Sequence, residues 1–482
     1  MKTIKYTFLL ITISFVYSCK KDFLIQNPPT AVPIANAIVN ANDMADAVNG
    51  MYSAMTPAAL FDRDIPVLGD LLADNCYISI VNSGRYLAEN NYSYVSTNGE
   101  AADIYSGAYA VILQANRIIA AKISNSGGSA SDVNELKGEA YIVRALNYLE
   151  LVNFFGQPYT VSPSSPGVPI VTAPTNPNSP YIKPARATVS AVYAQIISDL
   201  DSAYAIMPAG GTSLHPTDSE YLCKYAAKAI ESRAYLYKGD YANAEAAALL
   251  VVSQGGYTLT PASNLVSYWA NPGPVTNLTE TIFELAQTET ENDGFDALSA
   301  IYSQDGYGDL LVTPNLDSTY SATDVRGQLI IPGVRGGFNV FVNNKYSNLE
   351  NQIDKDDIKI IRYAEVLLTL AEGYARTGDQ ADAKKYLNMV AETRDPSFTG
   401  YTDSGAQLIT DILNERRKEL DCEGLRFFDL TRTNVPIVRP QEVDSAPSIG
   451  LIPVGYYKRI LPIPKAEVDA NPNTVQNPGY LN

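Results

Sequence analysis

His215 is the sole histidine in this chain of 482 residues. It stands in a Gly-Thr-Ser loop ahead of Pro216. A Ser-His-Asp triad would have to use it, and no G-x-S-x-G elbow accompanies it. HExxH, the phosphate-cradling P-loop and GxGxxG are absent as well. Asp70 and Asp74 would share one face of a helix, the arrangement of paired carboxylates that glycoside hydrolysis uses. A chain with 52 Asp and Glu produces such pairs by composition alone, so no catalytic residue is assigned. The cluster Asp354-Lys355-Asp356-Asp357 lacks the glycine and distal glutamate of a calcium loop. It reads as the acidic N-terminal cap of the next helix. Cys76, Cys223 and Cys422 show no CxxC spacing, which argues for small buried thiols over a disulfide framework or a zinc site. No metal and no cofactor are expected.

Charge narrows the partners. The net charge is −17, and it grows more negative if the N-terminal Lys2 and Lys5 are removed. Such a surface repels nucleic acid and anionic headgroups. The pair Arg416-Arg417, flanked by Glu415 and Glu419, reads as a solvated helix face and not a phosphate site. Lys2 and Lys5 precede the apolar run Thr7 to Val16, which is too short for the ~20 residues of a membrane span and fits an export signal over 1–18. Val16-Tyr17-Ser18-Cys19 resembles the lipobox of bacterial lipoproteins, with Tyr17 larger than the usual residue at its place. That resemblance implies a lipid on Cys19, so that acyl chains alone hold the protein on a membrane. Lys20 to Pro33 reads as a tether.

Helical periodicity dominates the rest. Asp132 to Phe155 places Leu136, Ala140, Val143, Leu146 and Leu151 at three- and four-residue spacing, and Gly156-Gln157-Pro158 stops it. Ser162 to Pro184 holds seven prolines and reads as an extended loop. Thr188 to Met207 is helical again. Two later segments repeat each other: AYLYKGDYANAEAA around Gly239-Asp240 and GYARTGDQADAKKY around Gly378-Asp379. Each predicts helix, tight turn, helix. Glycine supplies the left-handed cap, aspartate starts the next helix, and Ala244 and Ala383 allow close approach. The pattern resembles tetratricopeptide-type hairpins. Between the repeats, Gly255 to about Asn344 is rich in Gly, Pro, Asn and Thr, with strand-like runs such as Thr281 to Leu285. The predicted fold is mostly α. One domain over 19–482 combines a helical-hairpin scaffold (about 36–255 and 345–435) with an irregular, loop-rich lobe (about 256–344) that contains a few short strands. Pro436 to Asn482, with eight prolines, should wrap the surface in extended form.

Four stretches, in order, resemble the SusD/RagB family of outer-membrane lipoproteins from Bacteroidetes. They are GEAYIVRALNYLELVNFFGQP (138–158), IIRYAEVLLTLAEGYARTGD (360–379), ILNERRKELDCEGLRFFDLTR (412–432) and LPIPKAEVDANPNTVQNPGY (461–480). The resemblance implies a nutrient-binding protein, usually for oligosaccharides and sometimes peptides. It also implies a place on the outer membrane facing the exterior, as a lid on a SusC-like TonB-dependent transporter. Within the third stretch Arg416, Arg417, Glu419, Glu423, Arg426 and Asp429 recur at helical spacing, which suits an ion-pair network locking helices together.

Sugar binding needs aromatic faces for the ring and polar groups for its hydroxyls, and exposed aromatics on loops are the candidates. Thirty-three tyrosines against one tryptophan put the weight on tyrosine. One loop, 77–94, offers Tyr77, Arg85 and Tyr86. A second, 289–309, offers Asn292, Tyr302 and Tyr307. Trp269 ranks below them as a structural aromatic. The rival readings are a surface glycosidase and a scaffold that holds a protein ligand.

Overall fold

The computed structural model describes residues 37–123, 127–175, 182–271, 279–288, 290–350, 353–354, 356–439 and 441–481. The expected signal, Cys19 and its tether lie outside them. In chain order the helices used below are α1 (Ala41–Ser53), α2 (Asp64–Leu71), α3 (Gly99–Ala120), α4 (Ala130–Phe155), α5 (Val189–Ile206), α6 (Lys224–Lys238) and α7 (Tyr241–Gln254). They continue with α8 (Leu298–Tyr302), α9 (Tyr363–Thr377), α10 (Gln380–Arg394), α11 (Gly405–Glu419) and α12 (Arg426–Arg432). The strands used below are β1 (Cys76–Ile78), β2 (Thr281–Leu285), β3 (Leu310–Val312), β4 (Ile330–Arg335), β5 (Phe338–Asn343) and β6 (Ile358–Arg362).

Helix ends fall where side chains can satisfy end groups. Asn40 and Ser129 accept from the N–H of Asp43 and Asp132, and those aspartates accept from the cap backbone in return. Two reciprocal caps thus start α1 and α4. Thr188 caps α5. α4 is buried on nearly every side, packed between α3 and α5, so its few polar residues need partners inside. Arg144 donates to Asp199 on α5 at 2.6 and 2.8 Å and to Asn116 on α3 at 2.7 Å, joining three helices through one guanidinium.

Both expected hairpins form. α6 ends at Gly239 (φ +74°) and α9 at Gly378 (φ +109°), left-handed positions that an L side chain resists. The two aspartates then part company. Asp379 caps α10 by accepting from the N–H of Ala381 and Asp382. Asp240 makes no such cap; its carboxylate accepts from Lys238 and Asn243 side chains. Ala244 and Ala383 are fully buried. The hairpins also pack against each other. A Cβ on Gly373 would lie 3.0 Å from Glu245 Cβ, so α7 and α9 approach closely enough that a larger residue there would crowd α7. Arg233 on α6 donates to both oxygens of Glu365 on α9, at 2.7 and 2.6 Å.

The less regular lobe is built on an antiparallel sheet in the order β1-β3-β5-β4. Its first strand comes from far outside the expected lobe. The edge strand β4 carries Pro332, which removes one donor from the open edge. A second ladder pairs β2 with β6. β6 runs directly into α9, which ties the lobe to the second hairpin. This ladder corrects the reading of Asp354 to Asp357 as a helix cap. A strand intervenes before α9, and the carboxylates serve loops: Asp356 accepts from Asn348, and Asp357 from the N–H of Gln287. The C-terminal segment is extended for most of its length but is partly interior. Asn477 donates to the carbonyls of Phe155 and Leu461, and Leu461 and Ile463 are buried.

The ion-pair network of the third stretch is present, and it is buried. Arg362 and Arg394 share Glu280 and Glu419, with N–O distances of 2.5 to 3.0 Å. Glu423 joins through Arg362 and Lys345, and Arg416 reaches Asp429. Arg416 is fully buried, which corrects the reading of Arg416-Arg417 as a solvated face. Its helix is covered by α9 and α10, and charge alternation does not reveal that. Trp269, also buried, lies among Lys345, Lys359 and Arg362, each about 5 Å from its ring.

Candidate functional site

The carboxylate pair weighed for catalysis is structural. Asp70 is fully buried, accepting from Asn75 Nδ2 at 2.8 Å and from the N–H of Gly424 at 2.6 Å. Burial pushes its pKa up to about 7. Asp74 is held by Arg426 at 2.7 and 2.9 Å. Together they fix the turn between α11 and α12 against α2. The two backbones touch there, since a Cβ on Gly69 would overlap Gly424. His215 is equally committed. Its Nδ1 lies 2.8 Å from Glu139, its ring stacks on Tyr221 at 4.2 Å, and it is buried. Among the described residues no group of three or more His, Cys, Asp or Glu is placed to hold a metal ion.

The two loops chosen as ligand candidates converge, although more than 200 residues separate them in the chain. β1 opens the first segment, and the short helix α8 lies within the second. The stems are joined through Asp309. It accepts from the N–H and hydroxyl of Ser83 and, at 3.1 Å, from Arg335 Nη2 on β4. Arg335 also donates to the carbonyls of Val81 and Tyr307, each at 2.6 Å. Above this clasp Arg85 crosses to the second loop. It donates to Asp296 Oδ1 at 2.8 Å, and its guanidinium lies 3.8 Å from the centroid of the Tyr307 ring. Phe295 meets Tyr307 edge to face at 6.1 Å. Arg63, at the start of α2, donates to the carbonyl of Asp296 at 2.8 Å. Beside the charged cluster is an apolar shoulder. Ile80, Val81 and Val334 are exposed, and Val81 packs against the Gly336 turn of the β4–β5 hairpin.

The six residues selected from sequence therefore separate. Arg85 and Tyr307 are in contact and half-exposed. Asn292 is on the same wall, but its amide is occupied by its own loop: it donates to Thr288 O and accepts from the N–H of Gly294. The expectation of solvent-facing rings fails at the other three. Tyr77, Tyr86 and Tyr302 are buried. Tyr77 packs on Leu311, Val340 and Val342 under the sheet and donates to Asp444 at 2.9 Å. Tyr86 has a left-handed backbone (φ +56°) that turns its ring inward, where the hydroxyl donates to Asp64 at 2.5 Å. Burial pushes the Asp64 carboxyl up, although Arg63 and Tyr86 pull it down. Tyr302, the last residue of α8, stacks on Tyr346. The loop reading itself fails at two of them: Tyr77 is in β1 and Tyr302 in α8, elements whose inner faces lie on the core, and Tyr86 precedes a helical turn that packs inward.

Sequence reasoning passed over Arg63 and Arg335. Neither has a local pattern, and each reaches the site from a separate element. A signal existed for Arg335: Gly336-Gly337 between two β-rich runs marks a two-residue hairpin whose strand carries it.

A helical-hairpin scaffold with a loop-built, aromatic and charged site on a small sheet defines a class, and comparison with known proteins supplies its family. Residues 317–480 match the model of the SusD family, and residues 22–236 match a model described as starch-binding associating with outer membrane. A putative sugar binding protein from Bacteroides vulgatus is 30% identical, with a TM-score of 0.82, over 92% of this chain and 100% of that one. A SusD superfamily protein from the same species is 27% identical, with a TM-score of 0.83, over 92% and 100%. A SusD-like protein of Formosa agariphila is 24% identical over the full length of both chains. This chain belongs to the SusD/RagB family. Among the described residues no helix is long and apolar enough to cross a membrane.

Proposed function

We propose that this chain is a non-catalytic receptor that captures oligosaccharide outside the cell and passes it to a TonB-dependent outer-membrane transporter. In this reading a lipid on Cys19 holds it at the outer membrane. The observation that carries the binding site is the meeting of Arg85, Asp296, Phe295 and Tyr307 on a fixed base. The edge-to-face rings of Phe295 and Tyr307 offer apolar surface to the C–H side of a sugar. Arg85 brings donors and Asp296 brings acceptors for its hydroxyls. The guanidinium covers one face of Tyr307, so a sugar that stacks there slides Arg85 outward while Asp296 retains it. The shoulder of Ile80, Val81 and Val334 extends the platform beyond one sugar unit.

Calorimetric titration with a panel of oligosaccharides tests the reading. A sugar that binds the native protein, and binds at least about tenfold more weakly to Tyr307→Ala and Arg85→Ala, supports it. Unchanged affinity in both variants removes this site. Sustained release of shorter products would replace the receptor with a glycosidase, and binding of peptides alone would replace the ligand class. Co-purification of a β-barrel transporter with the membrane-bound protein tests the partner. Cys19→Ala recovered still on the membrane counts against the anchor.

A further inference from the structure

Spacing in the chain gives no reason to pair the cysteines, but the fold brings two together. Cys76 opens β1, and Cys422 lies in the turn between α11 and α12. They are 346 positions apart, and their Sγ atoms are 3.8 Å apart. Both are buried. Each sits on a backbone anchored independently of the other. Beside Cys76, the carbonyl of Asn75 accepts from the N–H of Thr313 at the end of β3, at 2.9 Å. The turn is held by Asp70, which accepts from the N–H of Gly424, and by Lys345 Nζ, which donates to the carbonyl of Asp421 at 2.8 Å. Cys422 itself is left-handed (φ +60°), a conformation uncommon for a side chain of its kind. Cys223 is remote from the pair and contacts the Tyr257 hydroxyl at 3.2 Å.

We propose that Cys76 and Cys422 form a disulfide in the exported protein. The inference rests on export, because envelopes permit disulfides that a reducing cytoplasm does not. A bond of about 2.05 Å requires the sulfurs to close by a little under 2 Å. Two S–H bonds break and one S–S bond forms. The two electrons pass to the disulfide of an oxidised dithiol protein of the envelope, which takes up two protons and leaves as the dithiol. Burial pushes both thiols up, and the thiolate is the attacking species. Exchange therefore takes place during folding, before α2, β3 and the turn close over the sulfurs. The finished bond ties the first strand of the site's sheet to the C-terminal turn, directly below Tyr302 and α8.

The test maps thiols in the protein as cells make it. The membrane fraction is quenched in acid, denatured without reductant and blocked with N-ethylmaleimide. It is then reduced and labelled with iodoacetamide. Expected is the first label on Cys223 and the second on Cys76 and Cys422. Unreduced digests should contain the two peptides joined, about 2 Da below their summed thiol masses. Reductant should lower the unfolding midpoint of the native protein and leave that of Cys422→Ala unmoved. First label on both Cys76 and Cys422 in membrane-bound protein overturns the disulfide, as does either one joined to Cys223. Recovery in the cytoplasm would overturn the export reading instead. In that event refolding the full chain with oxidised glutathione reads the pair alone, and absence of the joined peptide overturns it.

Discussion

Arginine and carboxylate meet in two regions of this molecule with opposite consequences. In the network between β6, α10 and α11, Arg362 and Arg394 hold Glu280 and Glu419 with every side chain at most 2% exposed. In the loop site, Arg85 and Asp296 are 31% and 56% exposed. The first set has no water to fall back on, so a partner removed leaves a stranded charge. The second set can exchange its partner for water or for a hydroxyl at little cost. One pairing fixes the frame, and the other leaves its groups free to exchange partners. Recognition regions are drawn from the less stable parts of a fold for this reason.

The most severe way to break the contrast is Arg362→Ala. It leaves Glu419, Glu423 and Glu280 short of a partner in the interior, and stability should fall by about 3–5 kcal/mol in chemical denaturation. A loss under about 1 kcal/mol would mean that water enters the network and the two regions do not differ. Next in size is Tyr307→Ala, which should weaken glycan binding by about tenfold or more, or about 1.4 kcal/mol. Its unfolding midpoint should stay close to that of the native protein.

A third carboxylate sharpens the comparison because it has no arginine. Glu135 on α4 faces Glu139, and burial followed by that neighbour pushes it up to about 9. The folded protein keeps this proton where the unfolded chain, titrating near about 4.3, has released it. Stability is therefore full below about 4.3 and declines as pH rises toward 9. Glu135→Gln should raise the unfolding midpoint more at pH 8 than at pH 5. Equal gains at both would refute the assignment. Asp429 runs the other way. Burial opposes its charge, but Arg416 and Arg432 hold it at about 2. Its contribution is present above about 3.9 and is lost as pH falls toward 2. The smallest expected effect is Asp296→Asn, under about 1 kcal/mol of stability for so exposed a pair. It would show instead as a change in the salt dependence of ligand affinity.

Local chemistry was legible in the sequence wherever a residue acts on its own neighbourhood. Gly239 and Gly378 end helices, Thr188 starts one, and alternating charges around Glu419 announce a network. What escaped depends on contacts between distant parts of the chain. β1 is three residues long and is defined by pairing with Leu310–Val312. The inward turn of Tyr86 depends on Asp64, and the commitment of Asp70 depends on Gly424. Of the candidate residues, Arg85 and Tyr307 meet at the surface as loops and residue type suggested. Tyr77 and Tyr302 were overestimated because residue type and local composition do not show that a short strand and a short helix form there.

Asp309 has a consequence for how such a protein changes over generations. It grips the first loop through the N–H and hydroxyl of Ser83 and the hairpin through Arg335, which in turn holds the carbonyls of Val81 and Tyr307, below the level at which a ligand would rest. The distance between the walls is therefore set independently of the side chains at their tips. Arg85, Phe295 or Tyr307 can be exchanged one at a time without the walls drifting apart. On the proposed function, a lineage can retune capture by single substitutions, each tested on an intact frame.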